Sequence, residues 1–168
     1  MNYKIRVAVP ADEKQICELF LEMLRTIYHS ESADGYEQGY LDRFWSRSED
    51  RIYIADVGGE AVGFLSVEVH HDPVDHIYLD DFSVTADYRS KGIGSALIRT
   101  AEAYAGETGS RAVLLHVEKS NPSAIRFYKR SGYSVFRDDG DRFLLKKDIE
   151  DGHHQIIFEF NRLMTNHN

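Results

Sequence analysis

The sequence predicts an α+β domain in which a mixed, mostly antiparallel β-sheet is flanked by helices. Its 168 residues lie near the ~150 residues of a typical single domain. A hydrophobic content of 42% and a charged content of 29% are typical of an ordinary globular protein. Alternating and helically spaced apolar runs follow one another in the order β-α-α-β-β-β-α-β-α-β-β. No repeat or linker interrupts them, so we interpret residues 1–150 as one domain and residues 151–168 as a tail docked on it or on a dimer partner.

A strand and two helices are predicted at the N-terminus. Residues 3–8 alternate between apolar and polar side chains, as in a strand. Pro10 and the acids after it begin a helix that continues to about Tyr28, and residues 40–45 predict a shorter second helix. Cys17 lies beside the apolar stripe of the first helix. Because no partner histidine or asparagine motif accompanies it, a buried, inert thiol is favoured over a nucleophile.

Three consecutive strands are predicted next, as an antiparallel meander. Residues 51–57 and 60–70 are rich in β-forming side chains, and the third strand covers residues 77–84. The pair Gly58-Gly59 joins the first two strands and can adopt the positive φ angles of a two-residue hairpin turn.

The remaining elements alternate between helix and strand. Helical spacing begins at Gly92 and ends near Gly106 or Gly109. The apolar run at residues 112–117 is typical of a strand that is covered on both faces. A short helix is predicted over residues 123–130 and is stopped by Gly132. Two strands follow, over residues 133–137 and 142–149, and a turn at 138–141 joins them. In the tail, residues 155–160 fit either a strand or a helix.

Composition and charge argue against several classes of function. One cysteine permits no internal disulfide, and no apolar run approaches the ~18–20 residues of a membrane span. The N-terminus has no apolar signal region, so a cytoplasmic location is expected. A net charge of −8 opposes sequence-independent binding to nucleic-acid phosphates or anionic lipid. We therefore expect no nucleic-acid partner and no membrane association.

The charge is unevenly distributed along the chain. Between His29 and Asp81 there are thirteen acidic residues against three arginines, a balance of −10, whereas the rest of the chain carries +2. Either the acids form a solvated face, or the acidic segment is suited to bind a cation and the rest of the chain is suited to bind an anion.

Residues 88–95 have the pattern of an anion-binding loop between a strand and a helix. Gly92 and Gly94 permit close approach of the backbone, and the helix N-terminus presents N–H groups and a partial positive charge to a phosphate. Arg89 and Lys91 add full positive charges. An ordinary helix-entry turn is the alternative interpretation.

Two nucleotide-binding patterns compete for the same loop, and both are disfavoured. The P-loop requires Gly-x-x-x-x-Gly-Lys-Ser/Thr, which the sequence lacks. A dinucleotide fingerprint requires a third small residue where Leu97 stands, although Glu118 matches the position of a ribose-binding acid.

A second motif covers residues 121–133. Asn121 can cap the predicted helix or bond a ligand amide, Ala124 keeps that surface shallow, and Phe127 supplies an apolar wall or a core side chain. Tyr128 is the ionisable group of the motif, and simple packing is its alternative role.

The strand residues 79–84, the glycine loop and this helix together resemble the GNAT superfamily of acyl-CoA-dependent N-acetyltransferases. The specific motifs end at Tyr133, and the order of elements extends the resemblance over residues 3–149. Residues 78–84 and 127–132 are similar to the spermidine/spermine N-acetyltransferase branch, although Asp80 stands where that branch usually has a glutamate.

The resemblance implies a direct transfer from acetyl-CoA to an amine, with no covalent enzyme intermediate and no metal. Asp80 or Asp81 would accept the amine proton through water. A strand N–H near Phe82 or Ser83 would polarise the thioester carbonyl. Tyr128 would protonate the leaving thiolate. The implied cosubstrate-binding residues are Phe82, Ser83, Val84, Arg89, Ser90, Lys91, Gly92, Ile93, Gly94, Ser95, Asn121, Ala124, Phe127 and Tyr128.

A small-molecule amine is the expected acceptor, and a homodimer is the expected assembly. The resemblance places the amine over the first two helices and the middle strands, the region that carries −10, which favours a polyamine or an aminoglycoside. Two other functions stay open: a non-catalytic acyl-CoA sensor or scaffold, and a peptide or lysine acetyltransferase. His116 is interpreted as a satisfied core residue, and the adjacent histidine pairs do not predict a metal site.

Overall fold

The computed structural model describes residues 1–29, 31, 34–150 and 164 of the chain. Every element predicted within residues 1–150 is present, in the predicted order. The strands are β1 (Lys4–Val7), β2 (Arg51–Val57), β3 (Glu60–His70), β4 (His76–Val84), β5 (Ala112–Glu118), β6 (Ser134–Asp138) and β7 (Arg142–Asp148), and the helices are α1 (Glu13–Tyr28), α2 (Asp42–Trp45), α3 (Ile93–Glu107) and α4 (Pro122–Arg130).

The strands form one mixed sheet with the order β1-β2-β3-β4-β5-β7-β6. The pairs β1–β2, β2–β3, β5–β7 and β6–β7 are antiparallel, whereas β4 and β5 are parallel. The predicted fold class, a mostly antiparallel sheet flanked by helices, is therefore confirmed.

The ends of two helices differ from the prediction for local reasons. Pro10–Asp12 form a 3₁₀ turn, so α1 begins at Glu13. The second helix begins at Asp42, later than predicted, because Gly39 adopts a left-handed φ of 82° within a turn. The predictions for residues 151–168 lie outside the described residues, except at Met164, which packs against a cluster formed by Ala112, Leu114 and Leu144.

The chain divides into two compact units. Unit 1 consists of Met1–Val67 and Asp81–Ala101, and unit 2 consists of Glu68–Asp80 and Glu102–Asn168. The strands β3 and β4 and the helix α3 therefore contribute residues to both units. No helix in the described part of the chain is long and apolar enough to cross a membrane.

The core of unit 1 is built from α1, α2, β2 and β3. Cys17 packs against this core, and burial raises the pKa of its thiol, which makes the reactive thiolate scarcer. The thiol is only partly buried, however, rather than buried as predicted, and its inert role stays a prediction. The buried members of the core are Ala8, Ile16, Leu19, Leu41, Phe44, Ile52, Ile54 and Phe64.

Arg6 connects β1 with the start of α1 and with β2. Its guanidinium donates to both carboxylate oxygens of Asp12 and to Oδ2 of Asp56, each at 2.8 Å. These hydrogen bonds lower the pKa of both carboxyls. The other oxygen of Asp56 accepts from the Gly59 amide at 2.8 Å, and Gly58 and Gly59 have the positive φ angles, 60° and 93°, that the hairpin prediction required.

Gly63 permits a close approach between β3 and the last residues of β4. A Cβ atom at this position would lie 3.1 Å from the Ser83 carbonyl oxygen and 3.2 Å from Cγ2 of Val84. Both distances are shorter than ordinary van der Waals contact, and the nearer atom belongs to the backbone. The path of Ser83 and Val84 therefore depends on the missing side chain at Gly63.

Unit 2 is organised around β5. Ile77, Tyr78 and Leu79 of β4 pair in parallel with Val113, Leu114 and Leu115, and β7 pairs antiparallel on the other side of β5. The residues Ala112 to Leu115 are at most 2% exposed, as expected for a strand that is covered on both faces.

The first prediction compares two glycine-to-alanine variants. Gly63→Ala is expected to lower the free energy of unfolding by about 1–3 kcal/mol, because the added methyl group overpacks against the β4 backbone. Gly106→Ala is the matched control: it lies in α3 with no atom within 4 Å of the added Cβ, and helix propensity predicts a gain of about 1 kcal/mol. Urea unfolding followed by circular dichroism measures both. Equal stability of the two variants would contradict the close approach.

Candidate active site

The last residues of β4, in unit 1, contain several of the predicted site residues. Ser83 is buried, whereas Phe82 and Val84 are half-buried. The carbonyl oxygen of Val84 accepts a hydrogen bond from Nε of Arg89 at 2.9 Å. Arg89, predicted to contact a phosphate, therefore lies against the strand end, with 45% of its side chain exposed.

Asp81 is held by hydrogen bonds within unit 1. Its Oδ2 accepts from the Tyr36 hydroxyl at 2.5 Å, and its backbone N–H donates to Oγ of Ser66 at 2.8 Å. The Tyr36 ring lies between two other rings, with centroids 3.8 Å from Phe20 and 4.8 Å from Tyr40. We call Phe20, Tyr36 and Tyr40 the aromatic stack. Sequence reasoning did not single out Tyr36, because 44 intervening residues separate it from Asp81 and no local motif marks it.

The connection after β4 is secured by Glu22 of α1, which sequence reasoning also missed. One carboxylate oxygen of Glu22 accepts from Oγ1 of Thr85 at 2.8 Å, and the other accepts from the Ala86 amide at 3.1 Å. The Arg89 guanidinium lies 3.7 Å from the second oxygen. A single carboxylate thus fixes the connection that leads from β4 into the glycine loop.

The glycine loop turns into α3 through two residues with positive φ angles. Ser90 and Gly92 have φ angles of 59° and 83°, and α3 begins at the next residue, Ile93, whose side chain is buried. Nothing lies within 4 Å of a Cβ placed on Gly92, so the loop backbone is accessible there. Lys91 is exposed, like Arg89 and Ser90, while Gly94 and Ser95 are partly buried in the first turn of α3.

Asp80 belongs to unit 2 and is exposed. It follows Tyr78 by two residues in β4, so the two side chains leave the strand on the same face. The neighbours Ile77 and Leu79 point to the other face and are buried. The two carboxylates predicted as alternative bases therefore lie in different settings, Asp80 exposed and Asp81 hydrogen-bonded to a phenol.

Asn121 caps α4. Its side-chain oxygen accepts from the Ala124 amide at 3.2 Å and from Oγ of Ser123 at 3.1 Å. The sequence allowed two roles for Asn121, a helix cap or a hydrogen bond to a ligand amide, and in the structure Asn121 is the helix cap. Ala124 and Phe127 are partly buried on the same helix.

Tyr128 lies between two aromatic rings of unit 2. Its ring meets Phe127 edge to face at 5.3 Å and Tyr133 at 6.1 Å. Burial of the phenol raises the pKa of Tyr128 above the ordinary range of a tyrosine. Its hydroxyl is protonated at neutral pH, as that of an ordinary tyrosine is, and the shift makes it a weaker acid. The Tyr133 hydroxyl, also buried, has no hydrogen-bond partner among the described residues.

His116 is hydrogen-bonded at both ring nitrogens, as predicted for a satisfied residue, but it is partly exposed rather than buried in the core. Nδ1 lies 2.7 Å from the Tyr78 hydroxyl, and Nε2 lies 2.8 Å from Oδ2 of Asp139. Within residues 1–150, as far as they are described, no cluster of three or more histidine, cysteine or acidic side chains could hold a metal ion.

Comparisons with known proteins agree on the type of fold and chemistry. Residues 15–133 match the model of the acetyltransferase (GNAT) family. An uncharacterised N-acetyltransferase of Methanocaldococcus jannaschii is 30% identical over 139 residues, covering 79% of this chain and 61% of that protein. The mycothiol acetyltransferase of Corynebacterium efficiens is 34% identical over 112 residues, covering 64% of this chain and 36% of that protein. The chain thus spans less than two thirds of the length of either relative.

Solved structures share the fold. The crystal structure of PaiA N-acetyltransferase from Thermoplasma acidophilum in complex with coenzyme A matches with a TM-score of 0.74 and 21% identity, covering 88% of this chain and 99% of that one. At this identity the match supports the fold alone.

Proposed function

The chain belongs to the acetyltransferase (GNAT) family, and on that premise we propose that it acetylates a small amine carrying two or more positive charges. Members of the family are N-acetyltransferases that use acetyl-CoA, and this domain is one of them. The acceptor, the roles of individual residues and the activity of the whole protein are our proposal. A polyamine and an aminoglycoside are the two acceptor classes that fit it.

The acetyl-CoA side of the proposal rests on β4 and the glycine loop. Main-chain groups of Phe82 and Val84 are assigned to the pantetheine arm, with Ser83 between them in the cosubstrate-binding set. Residues 89–95 are assigned to the pyrophosphate, because positive φ angles at Ser90 and Gly92 leave an open loop backbone at the start of α3, where N–H groups favour an anion. Asn121, Ala124 and Phe127 of α4 complete the assigned set.

The proton chemistry is assigned to one carboxylate and one phenol. An alkylammonium with a pKa of ~10 cannot attack a carbonyl until it loses a proton. Asp80, exposed on β4, is the proposed base, acting through water. The thiolate that leaves must gain a proton, and Tyr128, whose phenol is protonated at neutral pH, is the proposed acid. A strand N–H near Phe82 or Ser83 is assigned to polarise the carbonyl.

The observation that carries the acceptor assignment is the combination of acids and aromatic rings in residues 34–42 of unit 1. Asp34, Glu37 and Asp42 are exposed, and they flank Tyr36 and Tyr40 of the aromatic stack. Carboxylates and aromatic faces both attract cations. The Arg43 guanidinium lies 5.1 Å from the Tyr40 ring centroid, and this contact supports the proposal that the ring attracts cations.

An acceptor screen tests this proposal against its alternatives. Polyamines and aminoglycosides are expected to be acetylated faster than amino acids or peptides, as measured by release of free CoA thiol. Preference for a peptide would favour the peptide or lysine acetyltransferase alternative. Binding of acetyl-CoA without transfer to any amine would favour the sensor or scaffold alternative. The homodimer and the cytoplasmic location stay predictions.

The second prediction concerns the glycine loop. Gly92→Val is expected to raise the Kd for acetyl-CoA at least ~10-fold, because its side chain blocks the approach of a pyrophosphate to the loop backbone. Gly94→Val and Arg89→Ala are expected to weaken binding too. Gly109→Val is the matched control, since Gly109 also has a positive φ, 71°, and open space at its Cβ but lies after α3. If isothermal titration shows equal losses for Gly92→Val and Gly109→Val, backbone strain explains the effect and the assignment fails.

The third prediction concerns the general acid. Tyr128→Phe keeps the ring packing and is expected to lower kcat by ~10²-fold, a typical contribution of general acid catalysis, with acetyl-CoA affinity retained. Tyr133→Phe removes a neighbouring buried hydroxyl that has no partner among the described residues and should leave kcat near the wild-type value. Steady-state kinetics across pH measure both. If Tyr128→Phe had the wild-type kcat across this pH range, the role of Tyr128 would be packing and not acid catalysis.

The fourth prediction concerns the charge of the acceptor. Because exposed charges are screened by salt, raising the ionic strength from about 0.05 to about 0.5 M should lower kcat/KM for a polyamine several-fold more than for a monoamine. Replacing Asp34, Glu37 and Asp42 by asparagine together should remove most of that difference. Equal salt sensitivity of the two acceptors in the wild-type protein would identify the acids as a solvated surface.

A further inference from the structure

Glu22 of α1 contacts the connection after β4 at three points, yet it belongs to none of the groups assigned above to acetyl-CoA or to proton transfer. Its Oε2 accepts from Oγ1 of Thr85 at 2.8 Å, and its Oε1 accepts from the Ala86 amide at 3.1 Å. Oε1 also lies 3.7 Å from Nη2 of Arg89. We call Glu22, Thr85 and Ala86 the clamp.

Backbone hydrogen bonds connect the clamp directly to the glycine loop. Ala86–Tyr88 form a 3₁₀ turn. The Tyr88 amide donates to the Thr85 carbonyl oxygen at 3.0 Å, and the Arg89 amide donates to the Ala86 carbonyl oxygen at 3.3 Å. The two residues that bind the carboxylate are therefore the same two residues that hold the end of the turn, from which the glycine loop begins.

The clamp is anchored on elements that do not depend on a ligand. Ile16 and Leu19 of α1 are buried in the core of unit 1, and Glu22 follows Leu19 by three residues, so the two are neighbours on one side of the helix. The Thr85 amide donates to the Val62 carbonyl oxygen of β3 at 2.8 Å. Both α1 and β3 thus hold the connection in place.

The glycine loop needs such support because of Ser90. Its φ angle is 59°, and among the described residues His29 is the other non-glycine residue with a positive φ. A non-glycine residue keeps this conformation where the surrounding structure holds it there. Ser90 directly follows Arg89, the last residue that the turn fixes. Without the clamp, Ser90 would be free to return to a negative φ, which would change the direction of the loop amides.

We infer that Glu22 is a positioning residue for acetyl-CoA, which holds the glycine loop in its anion-binding conformation before the cosubstrate binds. It acts through its hydrogen bonds to Thr85 and Ala86 and does not itself contact the cosubstrate. A loop that is already ordered loses less conformational entropy on binding, so its affinity is higher. The inference rests on the proposed assignment of residues 89–95 to the pyrophosphate.

The negative charge of Glu22 would have the opposite effect on affinity. A carboxylate near the loop repels a pyrophosphate and competes with it for the Arg89 guanidinium. This effect is small, because the side chains of Arg89 and Glu22 are 45% and 34% exposed and exposed ion pairs contribute little. Removal of the side chain therefore weakens acetyl-CoA binding if its hydrogen bonds dominate and strengthens binding if its charge dominates.

Two variants of Glu22 separate the hydrogen bonds from the charge. Glu22→Ala removes both and is expected to raise the Kd for acetyl-CoA ~10-fold, which corresponds to the net contribution of about one hydrogen bond. Glu22→Gln removes only the charge, since its carbonyl can accept from the Ala86 amide and its amide can donate to the Thr85 hydroxyl. Its Kd should rise at most ~3-fold. Isothermal titration with acetyl-CoA measures both.

Two further variants complete the comparison. Thr85→Val removes one hydrogen bond of the clamp and should raise the Kd ~3-fold, with little further effect when it is combined with Glu22→Ala. Glu18→Ala is the matched control, because Glu18 is an exposed acid one turn earlier in α1. It loses the same charge and the same side chain, and its Kd should equal that of the wild-type chain.

A truncated thioester locates the effect. S-acetylpantetheine has no pyrophosphate, so kcat/KM with it should fall less than ~2-fold in Glu22→Ala, whereas with acetyl-CoA the KM should rise ~10-fold and kcat should be retained. A loss of global stability alone would affect both thioesters alike. Urea unfolding shows whether each variant is folded, and Thr85→Val provides the same test if Glu22→Ala is not.

Three results would overturn the role of Glu22. They are tighter binding of acetyl-CoA by folded Glu22→Ala, an equal Kd in Glu22→Ala and Glu18→Ala, and equal losses with the two thioesters. The variant Gly92→Val distinguishes this failure from that of the proposed function. Normal acetyl-CoA binding by Gly92→Val contradicts the pyrophosphate assignment itself, whereas weak binding by Gly92→Val together with normal binding by Glu22→Ala contradicts only the clamp.

Discussion

The parallel pairing of β4 with β5 is the constraint on which the arrangement depends. Ile77, Tyr78 and Leu79 are in register with Val113, Leu114 and Leu115, whereas the other strand pairs whose register is defined are antiparallel. Parallel neighbours cannot be joined by a tight turn, so a long crossover must connect them. That crossover contains the glycine loop and α3. The same register places Tyr78 beside Leu114, within reach of His116 two residues further along β5.

Side chains from distant parts of the chain hold the polar groups around this crossover. Glu22 fixes Thr85 and Ala86, and Tyr36 holds the Asp81 carboxylate. Asp139 does the same for His116 from the β6–β7 hairpin. The hydrogen bonds of Thr85, Asp81 and His116 satisfy polar groups that are partly buried, which burial would otherwise penalise. Each also restricts the orientation of its partner before any ligand binds, which is the property that catalysis by proton transfer and charge stabilisation requires.

Local patterns predicted most of the fold. The two glycines of the hairpin, the apolar run of β5 and the stop at Gly132 each have a consequence within a few residues, so periodicity and turn chemistry were sufficient to place those elements. Element ends were less predictable: the later start of α2 depends on the φ angle of Gly39. The glycine loop could be recognised because anion binding needs small residues and cations at short spacing.

The sequence alone determined the order of strands and helices and the position of the glycine loop between β4 and α3, since each of these depends on neighbours in the chain. Only the tertiary structure decided what surrounds the ionisable side chains. Asp80 and Asp81 are adjacent in sequence, yet one is exposed and the other accepts a hydrogen bond from Tyr36, because successive strand residues point to opposite faces. His116 could be interpreted as a core residue, but its partners Tyr78 and Asp139 are 38 and 23 residues away. Sheet register brings them together, and no local pattern encodes that register.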